Sequence, residues 1–185
     1  MKLSTNVFLA ALSAVIHTQS ASAADFRWYP APNCVGSFSI CFDLGPNQCC
    51  SPFTGPAASI RTVNSVTDFG PVVRVFGHAQ ELCRPSNFIG GNHNTCIQTS
   101  FAIFSAFWVQ FLRRELNDNA TLPSNVTEKS SCVDATGFGY LDEVTGEEVV
   151  FRIPDGKKEE VRVALQNDDV AALKVIAGGS EEVKV

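Results

Sequence analysis

The sequence predicts an α+β protein: a disulfide-rich, antiparallel Greek-key β-sandwich followed by a small acidic ββαα unit. Three observations point there. Across residues 26–109, short runs rich in β-branched and aromatic residues alternate with Gly/Pro/Asn clusters. Six of the seven cysteines lie in that first part of the chain. Beyond residue 133 the pattern becomes a hairpin and then two helical periods.

The first segment is laid out as a cleavable export signal. Lys2 gives a positive start, Val7–Ile16 is an apolar run, and HTQS then leads to the small-residue stretch ASAA at 21–24. Ten apolar residues reach only about 15 Å as a helix, roughly half a bilayer core, so the run is too short for an anchor. The expectation is a signal peptide over 1–23, cut after Ala23 or Ala24, and a secreted, extracellular chain.

The cysteine-rich sandwich is expected over 24–116. FRWY (26–29), SFSICF (37–42), SIRTV (59–63) and VVRVF (72–76) read as strands, bounded by PAPN, GPN, SPFTGP and DFGP. Spacing of this kind suits a sandwich built from Greek keys. FAIFSAFWVQFL (101–112) fits two templates. Phe101, Phe104, Trp108, Phe111 and Leu112 make a helical face; Phe101, Ile103, Phe107, Val109 and Phe111 make a strand face with Ser105 as the exception. Strand is favoured up to Val109, and in either case the run is core.

Residues 117–131 are polar, carry Pro123, and read as a linker. They hold two sequons, at Asn119 and Asn125, which in an exported chain are acceptor sites for glycans. The ββαα unit is expected over 132–178. GFGYL (137–141) and EVVFRI (148–153) flank a VTG turn, with Val149, Phe151 and Ile153 on one face. A helix follows over KKEEVRVALQ with Val161, Ala164 and Leu165 inward. Asn167-Asp168 then caps a second, VAALKVIA, stopped by Gly178-Gly179. Residues 179–185 are expected to be a flexible tail.

Charge divides the chain the same way. Residues 24–116 carry six basic and five acidic side chains, whereas 117–185 carry seven and fourteen. An acidic chain without a basic tract argues against nucleic acid and anionic membranes as partners. In an oxidising compartment the default for Cys34, Cys41, Cys49, Cys50, Cys83, Cys96 and Cys132 is disulfides. Seven is odd, so one is left over, and spacing does not choose the pairing. Adjacent cysteines bridge each other only with strain, so Cys49 and Cys50 are expected to reach different partners. Cys132 either ties the two regions together or is the unpaired thiol. His78, Cys83, His93 and Cys96 are a loose two-His, two-Cys set, but their intervals do not match a compact zinc site. No Cys-X-X-Cys is present. No metal and no cofactor is expected.

The catalytic census is thin: the sequence has no Gly-x-Ser-x-Gly, His-Glu-x-x-His, P-loop or dinucleotide fingerprint. A hydrolase would need His78 or His93 beside a nucleophile and an orienting carboxylate, with Asp43, Asp68 and Glu81 as candidates. Asp142, Glu143, Glu147 and Glu148 cluster at a hairpin turn and read as a solvated charge run. Trp28 and Tyr29, beside a Pro-rich turn, are either sugar-stacking rings or core anchors of a strand. No catalytic residue is assigned.

Tyr29, Cys34 and Gly36 stand at the aromatic, bulky-residue and glycine spacing of a βγ-crystallin Greek key. Ser59, Ile60 and Val63 resemble the serine strand of that motif, and Ser105-Ala106-Phe107-Trp108 resembles the same strand of a second key beginning near VVRVFG. The resemblance covers 26–109, and in the second key Cys83 stands where the glycine would be. It implies a βγ-crystallin-like sandwich. Calcium-binding members carry two Asn/Asp residues shortly before the serine, and this chain departs from that with Thr54-Gly55 and Ser100-Phe101. With its signal, Cys-Cys pair and acidic tail, the chain is also similar in general type to the cysteine-rich small secreted proteins of fungi. The expected function is a non-enzymatic binding protein of effector-like, antimicrobial or wall-associated kind, monomeric, with an extracellular protein or glycan as partner. The alternatives are a hydrolase using His78 or His93, or an inhibitor presenting a braced loop at 84–95.

Overall fold

The computed structural model describes residues 23–63, 72–84, 88–111 and 132–183. The expected signal peptide, apart from Ala23, lies outside the described residues, as do the linker 117–131 and both sequon asparagines. Among the described residues no helix is long and apolar enough to cross a membrane.

The described chain is mostly β, with two short helices near its C-terminal end. One sheet, sheet A, is antiparallel throughout. It contains β1 (Ala24–Tyr29), β2 (Phe38–Leu44), β4 (Ala57–Val63), β7 (Ile97–Ile103), β10 (Gly137–Leu141) and β11 (Glu148–Arg152), in the order β11-β10-β2-β1-β4-β7. The second, sheet B, contains β3 (Cys50–Ser51), β5 (Val72–His78), β6 (Phe88–Asn92), β8 (Ser105–Phe111) and β9 (Val133–Asp134), in the order β6-β5-β8-β3-β9. Among the described strands only the β3–β9 pair is parallel. The apolar run from Phe101 is strand on both sides of Phe104, where the chain leaves sheet A for sheet B. A single helix or strand template misses that break, because the inward face changes as the chain changes sheet.

The two halves of the sandwich repeat each other. In the first, β1 and β2 pair, β3 joins the opposite sheet, and β4 returns beside β1; in the second, β5 and β6 pair, β7 joins the opposite sheet, and β8 returns beside β5. Each half carries a one-turn 3-10 segment after its first strand, Pro32–Cys34 and Glu81–Cys83. Both segments end in two left-handed residues: Asn33 (φ 63°) and Cys34 (φ 53°), then Leu82 (φ 61°) and Cys83 (φ 50°). That conformation costs free energy for non-glycine residues, so something must hold it. In both halves the support includes a buried serine. Cys34 N–H donates to Ser59 Oγ at 3.0 Å and Ser59 Oγ donates to the Ala31 carbonyl at 2.7 Å. Cys83 N–H donates to Ser105 Oγ at 2.9 Å and Ser105 Oγ to the Gln80 carbonyl at 2.5 Å.

The main core lies between the sheets: Phe26, Trp28, Cys41, Leu44 and Ile60 from sheet A meet Cys50, Val75, Ala106 and Trp108 from sheet B. Alternation along β1 sends Arg27 and Tyr29 to the outer face, where Tyr29, Phe38, Ile40 and Val150 form a second cluster. Gly137 and Gly139 of β10 are required on that face. A Cβ on them would lie 2.3 Å from the Phe42 ring and 2.5 Å from the Phe38 ring.

The C-terminal unit extends sheet A. Phe138 of β10 pairs with Ser39 of β2, so the hairpin β10–β11 is continuous with the sandwich. Phe138, Tyr140, Val149 and Phe151 are covered by α1 (Lys158–Gln166) and α2 (Val170–Ala177) through Val161, Ala164, Leu165 and Leu173. Phe53 packs against this cluster and the main core alike. Asp169, rather than the preceding pair, caps α2 by accepting from Ala172 N–H at 2.9 Å. That frees Asp168 to reach the first half of the sandwich, where its carboxylate accepts from Ser37 N–H at 2.8 Å and Ser37 Oγ–H at 2.6 Å. Beyond the helices, Val183 N–H donates to the Val150 carbonyl at 2.8 Å and Glu182 bridges to Phe151.

Candidate functional site

Trp28 and Tyr29 are each 1% exposed. The Trp28 indole N–H points at Cys50 Sγ, 3.2 Å away, and Tyr29 packs on Phe38 with ring centroids 5.1 Å apart. Both rings serve the core, and neither offers a face for stacking. His78 is fully buried, its ring stacked 5.3 Å from Phe107 and its Nδ1–H donating to the Arg84 carbonyl at 2.6 Å. Burial pushes its pKa below the ordinary histidine value, against the opposing pull of that carbonyl. His93 is half-buried beside Thr62 Oγ1 at 3.3 Å, and burial lowers its pKa too. Of the loop 84–95, residues 85–87 lie outside the described residues, and Phe88–Asn92 form β6, paired with β5 on the edge of sheet B.

The acidic hairpin divides. Asp142 accepts from Val144 N–H at 2.8 Å and Thr145 N–H at 3.1 Å, bonds that hold its carboxyl below the usual range and shape the turn. Glu148 instead crosses the outer face of sheet A and pairs with both Arg27 and Arg61. The Arg27 guanidinium also lies 4.9 Å above the Phe38 ring, and that of Arg152 the same distance above Phe42. Sequence reasoning missed this network because Glu148 sits among solvated carboxylates in the chain; the alternation that makes Arg27 and Tyr29 face outward together was the available signal.

The cysteines form a pattern that spacing does not reveal. Cys34 pairs with Cys96, and Cys41 with Cys50. Cys49 is placed against two partners, Cys83 and Cys132. The three sulfurs lie within 4.8 Å of one another. A sulfur forms one disulfide, so within one chain this cluster holds one bridge and one thiol. Both Cα separations, 6.1 Å to Cys83 and 4.6 Å to Cys132, fall in the range a disulfide spans. Cys49 and Cys83 are buried and Cys132 half-buried, on the wall of a cavity of about 320 Å3 with Ser51, Glu81, Leu82, Phe104 and Asp134. Among the described residues Cys83 clusters with Cys49 and Cys132, and His78, His93 and Cys96 do not join that cluster, so the loose two-His, two-Cys set is not brought together.

The helical pair carries a different kind of site. A cavity of about 500 Å3 opens between α1 and α2, lined by Val163, Ala164, Ala172, Val175 and Ile176 and rimmed by Glu159, Glu160 and Asp169. Val163 is 46% exposed and Val175 81%, so apolar side chains on its wall face solvent. Lys157 pairs with Glu160 and Arg162 with Glu159 at the rim. Among the described residues no histidine, serine or cysteine lines it.

Residues 25–147 match the family model ARB_05566_N, described as an N-terminal domain. No curated protein and no solved structure matches the chain. The matched stretch contains the sandwich and all seven cysteines, and stops before β11 and the two helices.

Proposed function

This chain belongs to the ARB_05566_N family, an uncharacterised domain, and we propose that it is a secreted, disulfide-braced, non-enzymatic protein that acts by binding an extracellular partner. The observation that carries this reading is the open groove between α1 and α2, an apolar concavity bounded by carboxylates. The occupant that suits it is a protein segment presenting one or two apolar side chains beside positive charge, in keeping with the acidic balance of residues 117–185. Three cross-links in a chain of this size, and the layout of residues 1–24, support export.

The scaffold beneath the groove is read as a divergent two-key βγ-crystallin-like sandwich. Its support is the strand order of the two halves, each exchanging its third strand, together with the paired 3-10 turns bonded to Ser59 and Ser105. The burial of His78 weighs against the hydrolase alternative, since a general base must reach the proton it takes.

The test is calorimetric titration with an amphipathic Leu/Lys helical peptide and with its Leu→Ser counterpart. Saturable binding of the first alone, lost in Val163→Glu/Val175→Glu with the melting temperature unchanged, supports the reading. Absence of binding, together with ester or glycoside hydrolysis that disappears in His93→Ala, replaces it with the hydrolase.

A further inference from the structure

The repeat between the two halves of the sandwich says which partner of Cys49 is the structural one. Cys34 and Cys83 end equivalent 3-10 turns, as shown by their left-handed φ values and their bonds to Ser59 and Ser105. The exchanged strands are equivalent too. Ile97 of β7 stands opposite Ile60, the residue after Ser59; Cys50 of β3 stands opposite Ala106, the residue after Ser105. Cys96 and Cys49 immediately precede those two residues. The Cys34–Cys96 bridge, with Cα atoms 5.8 Å apart, therefore has its counterpart in Cys49–Cys83, at 6.1 Å. Cys132 has no equivalent in the first half.

We propose that Cys49–Cys83 is the resting disulfide, that Cys132 is the thiol left over, and that the three residues form an internal thiol–disulfide exchange site. The Cys132 sulfur, having lost its proton to solvent, attacks Cys49 Sγ. The Cys49–Cys132 bond forms, the Cys49–Cys83 bond breaks, and Cys83 leaves as a thiolate that takes up a proton. One disulfide and one thiol are present before and after, so no oxidant or reductant is consumed.

The backbone is built for both states. Cys132 is held beside Cys49 by Val133 N–H donating to the Cys49 carbonyl at 2.9 Å, and Ala135 N–H to the Ser51 carbonyl at 3.0 Å. Cys83 is held by Ser105 whether or not its sulfur is bonded. Exchange thus requires rotation of side chains alone. Its outcome moves a cross-link from the Glu81–Cys83 turn of sheet B to the residue that leads into β9.

Tryptic mapping of unreduced protein reads the two states directly, because Cys132 lies alone in peptide 130–152 while Cys49 lies in 28–61 and Cys83 in 75–113. Brief alkylation is expected to label Cys132 and leave 130–152 free of any disulfide partner. Alkylation of Cys132 blocks its attack, so the second state is read by holding protein from an acid stock at neutral pH for increasing times before the same brief label. A population in which 130–152 is bridged to 28–61 and the label sits on Cys83 is expected to grow with that time. In Cys83→Ser, Cys49–Cys132 is expected to form and no thiol to react. Label confined to Cys132 at all times, label first on Cys83, or a Cys83→Ser protein with Cys49 and Cys132 both alkylated would each overturn the proposal. Should Cys83→Ser fail to fold, the time course on the unaltered protein still decides.

Discussion

Ser59 and Ser105 make the same pair of hydrogen bonds at equivalent places in the two halves of the sandwich, each accepting from a cysteine N–H and donating to a carbonyl three residues before it. Both are fully buried. A chain that places left-handed, non-glycine residues in both turns needs these hydroxyls to keep the turn backbone satisfied.

Ser105→Ala is therefore expected to destabilise the protein by about 1–3 kcal/mol, since it leaves the Cys83 N–H and the Gln80 carbonyl buried without this partner. Urea denaturation followed by tryptophan fluorescence measures it. A loss under about 0.5 kcal/mol, the size of an ordinary surface change, would mean that the hydroxyl is dispensable.

Gly139→Ala is expected to be worse tolerated than any exposed Gly→Ala change in the chain. Its Cβ would fall 2.5 Å from the Phe38 ring and 2.7 Å from the Val149 carbonyl oxygen, and the latter cannot rotate away. Overpacking of this kind costs about 1–3 kcal/mol. Gly146, with nothing within 4 Å of an added Cβ, is the comparison; only its positive φ of 71° is strained by the substitution. Equal melting temperatures for the two variants would contradict this packing.

Stability is expected to fall between neutral pH and about pH 5. Burial lowers the pKa of His78 in the folded protein, so over the range below the unfolded value the unfolded chain binds the proton more readily. The contribution is present above about 6.5 and is lost as pH drops through that value toward the folded pKa. His93 adds in the same direction. The lowered pKa values of Asp142 and Glu159 act in a separate, more acid window. His78→Gln should flatten the slope of melting temperature against pH from 7 to 5; an unchanged slope would place the proton uptake elsewhere.

Much of the architecture was legible in the chain, for reasons specific to each element. α2 runs from Val170 to Ala177 as expected because Gly178-Gly179 stops it and Asp169 starts it. The hairpin of β10 and β11 was legible because a short polar turn separates two runs of period two. Three features were out of reach. The pairing of β10 with β2 joins segments about a hundred residues apart, and no local pattern encodes a register over that distance. The change of sheet at Phe104 hides inside a continuous apolar run. The partners of the cysteines depend on where the exchanged strands β3 and β7 land, and β3 has only two residues. Of the candidate site, the seven cysteines were visible as a set, while the trio of Cys49, Cys83 and Cys132 needed the sheets to be assembled.

The two halves should differ in how they tolerate loss of a cross-link. Cys34→Ser/Cys96→Ser removes a bridge with no substitute in reach and is expected to cost about 2–5 kcal/mol. Cys83→Ser removes its counterpart, yet Cys49 can still close on Cys132. The bridge then spans 83 residues instead of 34. On chain entropy alone the longer loop constrains the unfolded state slightly more, by about 0.8 kcal/mol. Set against this is the loosened Glu81–Cys83 turn, which keeps its bond to Ser105. Cys83→Ser is therefore expected to lose under half as much stability as the double variant, and Cys83→Ser/Cys132→Ser to lose about as much as the double variant. Chemical denaturation of the three proteins side by side gives the comparison. If Cys83→Ser alone matched the double variant, Cys132 would not be standing in, and the second half of the sandwich would depend on Cys83 as strictly as the first depends on Cys34.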